Sequence, residues 1–466
     1  VSAPAFRARA EAALEDGFLQ QALGIATTRF IDLRREAFAG FPEGDRLRDR
    51  ARAAKEATLQ QLDTHLERLA DSVERLGGRV HWAATAAEAR EIVLRLCRER
   101  GVRRVVKSKS MATEEIELNA ALERAGVTAV ETDLGEYIIQ LAHEKPSHII
   151  APAIHKTKGQ VAELFTRAMG RPLPADAEAL TAAARAALRQ AFLEADMGIT
   201  GANFAVADTG TVVLVTNEGN GRMVTTLPRI HVAVMGMEKV IPSMSDLVLF
   251  LSILARSATG QRLSVYTTLI RGPRARTELE GPEEFHLILL DNGRSAQIAG
   301  PLREALYCLR CGACLNVCPV YRRVGGHAYG ATYPGPIGIL LTAMLEGQPA
   351  VRELAHASSL CGACQEVCPV RIDIPRMLVE LRAGLAESRQ VGALERALAR
   401  LAGRALASPA LFRLGARLAR LLQRPFVRDG RIRRLPLLGG WTAARDLPPL
   451  ARESFGEWWE RQGRRP

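Results

Sequence analysis

CLRCGACLNVCPV, residues 308–320, and CGACQEVCPV, residues 361–370, carry seven of the eight cysteines of this chain. Cys308, Cys311, Cys314 and Cys318-Pro319 complete the spacing C-x2-C-x2-C-x3-C-P. That spacing holds [4Fe–4S] clusters: three thiolates on one tight loop grip three irons of a cube, and the fourth cysteine reaches a neighbouring cluster. The proline ends the loop and fixes the backbone at the last ligand. A disulfide framework fits poorly, because the chain is long, its cysteines are clustered and no signal peptide is visible. Structural zinc rarely takes four cysteines in this triplet-plus-one order.

The second run lacks its first cysteine, and Ser358 stands three residues before Cys361. Two-cluster ferredoxins exchange ligands between their runs. On that pattern Cys308, Cys311, Cys314 and Cys368 complete one [4Fe–4S] cluster, while Cys318, Cys361 and Cys364 leave the other with three thiolates. The second site is then either a [3Fe–4S] centre or a [4Fe–4S] centre whose fourth ligand comes from Ser358, Ser359, solvent or a partner. Cys97 lies in AAEAREIVLRLCRER (86–100), whose apolar spacing is helical, so buried packing is its expected role.

With 466 residues the chain is long enough for two or three domains with substantial cores. No stretch approaches the roughly 18 consecutive apolar residues of a membrane span. Absence of a charged-then-apolar leader, together with oxygen-sensitive cluster motifs, points to the cytoplasm. The net charge of +12 is concentrated after residue 380 and is nearly all arginine. Few aromatics and no helix-turn-helix, zinc-finger or RNA-recognition signature argue against nucleic acid. A protein partner, peripheral contact with an anionic membrane face, or a plain solvated surface remain as explanations.

Residues 1–76 read as a helical segment, ended by Gly77-Gly78. From 77 to 298 strands and helices alternate, which argues for a parallel-sheet α/β domain. Its strand candidates are Arg79–Ala83, Arg103–Lys107, Val127–Thr132, His148–Pro152, Asn203–Val206, Thr211–Thr216, Arg229–Met235, Leu263–Leu269 and Phe285–Leu290. Ala112–Ala125, Ala175–Ala195 and Met244–Ser257 read as helices. A mostly helical two-cluster domain follows over 299–380, interrupted by the glycine- and proline-rich Gly325–Gly338, which is expected to be irregular. The arginine-rich 381–466 is expected to be a helical tail, with Ser408-Pro409 opening one helix and DLPPLARESFGEWWERQ forming a strap.

Within the α/β domain, Lys107-Ser108-Lys109-Ser110 follows an apolar strand and opens a helix. Free backbone N–H groups and two lysines there suit a carboxylate or phosphate, against the simpler view of a capped helix. Glu131, Asp133 and Glu136 cluster at the next strand end, and His155-Lys156 ends the following segment, so all are expected to line one crevice. Glu218 and Arg222 flank a strand and belong either to tight turns or to a ligand site. His231, opening an apolar strand, is expected to be a hydrogen-bonded core histidine. No Walker A loop and no G-x-G-x-x-G after a strand is present, which argues against a Rossmann-bound dinucleotide.

KSKSMATEEIELN (107–119), ETDLGEYIIQLA (131–142), PSHIIAPAIHK (146–156), ADTGTVVLVTNEGNGRM (207–223) and the duplicated cysteine runs occur in this order, ahead of PPLARESFGEWW (448–459). Together they resemble the lactate utilisation protein B family, iron–sulfur proteins with an LUD domain, over essentially the whole chain. The resemblance implies an α/β LUD domain similar to NagB/RpiA/CoA-transferase-like folds, followed by paired ferredoxin-like motifs. It implies a part in oxidising L-lactate to pyruvate, in a complex with a CCG-repeat cysteine-rich subunit and a second LUD-domain subunit. Three roles stand as rival expectations: electron transfer through the clusters; hydroxy-acid chemistry in the LUD domain, with Lys107 or Lys109 binding the carboxylate and His155 taking the proton; or assembly around structural clusters.

Overall fold

The apolar runs of the first three hundred residues become ten strands: β1 (Arg79–Ala83), β2 (Arg104–Lys107), β3 (Thr128–Glu131), β4 (Met197–Thr200), β5 (Phe204–Val206), β6 (Thr211–Thr216), β7 (Ile230–Gly236), β8 (Val240–Ile241), β9 (Tyr266–Ile270) and β10 (Glu284–Leu290). In the computed structural model, which describes residues 5–388, 392–435, 442 and 445–462, six of them form a parallel sheet in the order β1–β10–β7–β4–β2–β3. The other four form a mixed sheet, β8–β5–β6–β9. Strands buried on both faces carry nearly continuous apolar sequence, and β7, IHVAVMG, is buried at every residue. Val105 packs with Ile199, Val232 and Ile288 against one layer of helices, while Val106 turns the opposite way onto Leu188, Phe192 and Val224.

Two of these strands, β4 and the two-residue β8, are not among the sequence's strand candidates. β4 is the four-residue MGIT, yet it lies at the centre of the sheet between β2 and β7. Gly198 within it is required by contact: a Cβ there would stand 2.0 Å from the Val224 carbonyl oxygen of the helix Asn220–Thr226. The expected helix Ala112–Ala125 is two pieces, Met111–Glu115 and Leu118–Arg124. Glu117 adopts a positive φ of 49° between them, and Arg90 takes the Ile116 carbonyl at 2.9 Å.

His148–Pro152 is not a strand. Several backbone groups here and at the adjoining Ser147 are bonded locally or to the cysteine module instead of to a neighbouring strand. The Ile150 and Ala151 amides donate to His148 Nδ1, Tyr321 Oη donates to the Ser147 carbonyl at 2.7 Å, and the Gly326 amide donates to Ser147 Oγ at 3.1 Å. The segment Gly325–Gly338 is likewise more ordered than expected. His327–Tyr329 is a 3-10 turn and the helix Gly335–Glu346 begins inside it, with Pro336 in its first turn.

By contact the chain divides into two compact units, Val1–Leu385 and Ala386–Pro466. The first unit opens with helices Phe6–Glu15, Gly17–Ala39, Gly44–Gln60 and Leu62–Arg75, the last burying Leu62, Leu66, Leu69 and Val73 along one face. In the second unit, helices Ala393–Ala407 and Pro409–Leu422 pair, and the Ser408 hydroxyl caps the latter by accepting from the Leu411 amide. The helix Phe455–Gln462 returns to them through Glu457, 3.0 Å from Arg420. Among the described residues no helix is long and apolar enough to cross a membrane.

His231 is the core histidine its sequence context suggests: fully buried on β7, with Nε2 2.9 Å from Thr200 Oγ1. Burial lowers its pKa to about 3. Below the ordinary histidine value near 6.5 the unfolded chain therefore gains a proton that the folded chain refuses, so stability falls as pH drops from there toward 3. His231→Gln should flatten the decline in apparent Tm between about pH 7 and about pH 5, where one such group contributes up to about 1.4 kcal/mol per pH unit. An unchanged slope would show that His231 is not the group responsible.

Candidate functional site

The sequence repeat is also a repeat of backbone. Arg310 and Leu360 both adopt positive φ, 61° and 54°, and Gly312 and Gly362 follow at 75° and 83°. Each loop then enters a five-residue helix, Ala313–Val317 or Ala363–Val367, and ends on Cys318-Pro319 or Cys368-Pro369. Two left-handed residues in alternation turn the chain back sharply enough to aim neighbouring cysteines at one point.

Cys308, Cys311, Cys314 and Cys368 line one small cavity of about 20 Å³. Cys318 lies with Cys361 and Cys364 in a second group, close enough for their charges to act on one another. The donor chemistry of the first group fits an iron–sulfur cluster. Burial pushes Cys311 up to about 12 and Cys368 up to about 11, with nearby sulfurs adding to the rise, and bound cations would favour their thiolate forms. Backbone amides already point at sulfur: Arg310 N at 3.3 Å from Cys308 Sγ, Ile372 N at 3.4 Å from Cys368 Sγ and, in the second group, Tyr321 N at 3.5 Å from Cys318 Sγ. Cys361 is exposed at the rim, and hydrogen bonds from the Ala363 amide and Ser359 lower its thiol. Ser358 turns back on its own loop: its hydroxyl accepts from the Leu360 amide at 3.2 Å. Cys97 is buried among helix and sheet residues, as its spacing suggests.

A larger cavity, about 320 Å³, opens at the carboxyl ends of the parallel strands. Ser108 after β2, Gly201 after β4, Asp133 after β3 and Gly236 at the end of β7 all line it, in the crevice where such sheets bind ligands. Its far wall is the first cysteine loop: Leu309, Arg310 and Cys311. Glu238, on the turn after β7, joins the two walls. Its Oε2 lies 2.6 Å from Arg294 Nε and its Oε1 3.1 Å from Arg310 Nη2. Burial alone would raise this carboxyl, but Arg294, Arg310 and the nearby lysines hold it down to about 2. Arg294 in turn forks onto Glu115 at 2.8 Å, and Tyr333 Oη donates to the same carboxylate at 2.9 Å. Lys239 donates to the Cys308 carbonyl at 2.9 Å.

Sequence reasoning brings some, not all, of its candidates to this crevice. Lys109 and Asp133 line it, with Lys109 Nζ spent on the Ile149 carbonyl. Glu218 is exposed at the cavity's edge, accepting from the Leu134 amide at 3.3 Å, and Arg222, exposed on the helix Asn220–Thr226, does not line it. Lys107 does not reach it. That side chain is buried beneath, 2.5 Å from Glu131 and 2.6 Å from Asn119 Oδ1, and despite burial the Glu131 and Glu114 carboxylates keep it protonated. The helix it was expected to open is five residues long, capped by Ser110 accepting from the Thr113 amide. Glu136 is buried, which lifts it to about 8. His155 lies elsewhere, 2.7 Å from Glu144 with Lys156 on the same carboxylate and the His327 ring 4.5 Å away. The missing strand at 148–152 explains this, since His155 was placed by the end of a strand that does not form. Arg310, Glu238, Lys239 and Arg294 were overlooked. A charged Met237-Glu238-Lys239 directly after an apolar strand was the available signal.

Three family profiles match in succession: the LUD domain over residues 66–290, the 4Fe-4S dicluster domain over 304–372 and the C-terminal domain of lactate utilisation protein B over 384–464. A Lactate utilization protein B of Shouchella clausii is 45% identical over 99% of this chain and 97% of its own length. The chain belongs to the lactate utilisation protein B family. The Bacillus subtilis member is 43% identical over 98% of this chain and 96% of its own. A crystal structure of a DUF162 family protein from Deinococcus radiodurans, 13% identical, covers 49% of this chain and 98% of its own at a TM-score of 0.27, too low to bear on the fold. An LUD domain, a 4Fe-4S dicluster domain and the family's C-terminal region thus follow one another along this chain.

Two outcomes test this geometry. Lys107→Met leaves Glu131 buried without its cation, so the variant should lose about 3–5 kcal/mol of stability in denaturant titration, with much of it returning in Lys107→Met/Glu131→Leu. Loss of ligand binding at full stability would instead return Lys107 to the crevice. Cys311→Ser should remove the iron held by the first cysteine group and spare that of the second, as read by iron and sulfide analysis with EPR. Unaltered iron content would refute the grouping.

Proposed function

We propose that this chain is the iron–sulfur electron-transfer subunit of a complex that oxidises L-lactate to pyruvate. One observation carries the proposal: two cysteine groups, one from each loop plus an exchanged member, lie beside each other and directly behind a strand-end cavity. Cys308, Cys311, Cys314 and Cys368 would hold one [4Fe–4S] cluster; Cys318, Cys361 and Cys364 would hold a second, [4Fe–4S] or [3Fe–4S]. Bound clusters supply one-electron chemistry, and two of them suit the two electrons released when a hydroxy acid becomes a keto acid.

The protein's own residues do the rest. Backbone amides donating to sulfur favour the thiolate form. Arg48 donates from Nε and Nη2 to the Cys368 carbonyl at 3.1 and 2.9 Å, and Arg34 to the Val367 carbonyl at 3.0 Å, which sets positive charge next to an anionic centre. The names of the relatives support the substrate; assembly with a CCG-repeat cysteine-rich subunit and a second LUD-domain subunit, in the cytoplasm, completes the proposal. The all-parallel central sheet supports placing the LUD domain with NagB/RpiA/CoA-transferase-like folds, and the segments 1–76, 77–298, 299–380 and 381–466 are kept as the working domain division.

Anaerobic co-purification with those two subunits, followed by EPR before and after L-lactate, tests the proposal. Lactate should produce the signal of reduced clusters. If dithionite reduces the clusters and lactate does not, they are structural and the chain serves assembly.

A further inference from the structure

We propose that the strand-end cavity binds the carboxylate of a 2-hydroxy acid through Arg310, and that it admits acids with side chains much bulkier than a methyl group. The acid class rests on the lactate-oxidising function; the anion site rests on geometry alone.

Four cationic side chains, Lys109, Lys239, Arg294 and Arg310, line the cavity against three carboxylates, Asp133, Glu218 and Glu238. The lysines and Arg294 already hold hydrogen-bond partners. Lys109 donates to the Ile149 carbonyl and Lys239 to the Cys308 carbonyl. Arg294 is divided between Glu115 and Glu238. Arg310 differs. Its side chain is only 9% exposed, Nη2 is held by Glu238, and the guanidinium carbon lies 5.0 Å from the centre of the Tyr333 ring. Nη1, equally buried, has no hydrogen-bond partner among the described residues. A buried guanidinium N–H left unmatched costs stability and calls for an explanation. Here it belongs to a residue that lines a cavity of about 320 Å³, held by one carboxylate and one aromatic face so that it cannot swing away. A planar fork with a donor to spare is the geometry that recognises a carboxylate.

The remaining walls describe the rest of the ligand. Ile149, Ile150, Leu214, Val234 and Leu254 give the cavity apolar lining besides its charged groups. A three-carbon acid would leave most of that space to water. A 2-hydroxy acid with a large apolar side chain would fill it, bringing hydrophobic contact that lactate cannot make. Because Arg310 stands between Cys308 and Cys311, and Cys311 lines both cavities, the anchor of the acid is part of the same loop as the first cysteine group.

The test uses the full-length chain loaded anaerobically with iron and sulfide. Isothermal titration with L-lactate, acetate, L-phenyllactate and inorganic phosphate should show carboxylate binding, with phenyllactate at least as tight as lactate. Arg310→Gln should weaken every carboxylate by roughly tenfold or more, as loss of a charge-assisted hydrogen bond implies, at unchanged iron content and EPR spectrum. Should that variant lose iron, Ala258→Trp carries the test. It fills the cavity from the helix Met244–Thr259, touches neither charge nor cysteine, and should abolish phenyllactate binding. The anion site is overturned if no carboxylate binds the wild type, if binding persists in both variants, or if phosphate binds more tightly than every carboxylate. Lactate binding with phenyllactate excluded overturns the size of the site. Calorimetry needs no turnover, so a failure of lactate to reduce the clusters in the assembled complex would remove the electron-transfer role and leave this result standing.

Discussion

Glu238 is the point on which the first unit turns. It is completely buried on the turn after β7, and both of its oxygens are taken by arginines from other parts of the chain. Arg294 follows β10 and Arg310 belongs to the first cysteine loop, so one carboxylate joins the sheet to the cysteine module. Lys55, buried on the helix Gly44–Gln60, donates to the Glu238 carbonyl and brings the N-terminal helices to the same spot. Buried charge is tolerable only when paired with good geometry, and removal of one partner is costly. That constraint gives these three parts of the chain very little freedom to shift against one another.

The cysteine loops depend on this anchoring because they contain little regular structure of their own. Their sharp turns come from positive φ at Arg310, Gly312, Leu360 and Gly362, and the Val367 and Cys368 carbonyls of the second loop are held by arginines from the N-terminal helices. Gly312 carries a second requirement: a Cβ there would lie 2.8 Å from His148 Cε1. The irregular stretch at 147–152 therefore sits hard against the module. A strand in that place would have to give up the bonds that Tyr321 and Gly326 make to Ser147.

Most of the sheet was readable from apolar runs, since a doubly covered parallel strand advertises itself by continuous hydrophobic sequence. β4 escaped because four residues with a central glycine carry almost no periodic signal, and its place is decided by its neighbours. The residues expected at the crevice divide into those that line it and those that do not. Ser108, Lys109 and Asp133 do line the crevice. Lys107 does not, because alternate residues of a strand face opposite ways and its partner Glu131 is in register with it on β3. His155 was lost with the strand that was to carry it.

Sequence alone determined what depends on local spacing: the two cysteine runs, their duplication at an offset of 50 residues, and the exchange of members they imply. Cysteine spacing on a tight loop is set by bond lengths and turn geometry, which are local, although distant segments hold the loops in place. Tertiary structure alone decided which charges are free and which are spent. Whether an arginine holds a ligand depends on the acids that reach it from distant segments: Glu238, more than seventy residues earlier, takes Nη2 of Arg310, and Nη1 is left without a partner among the described residues.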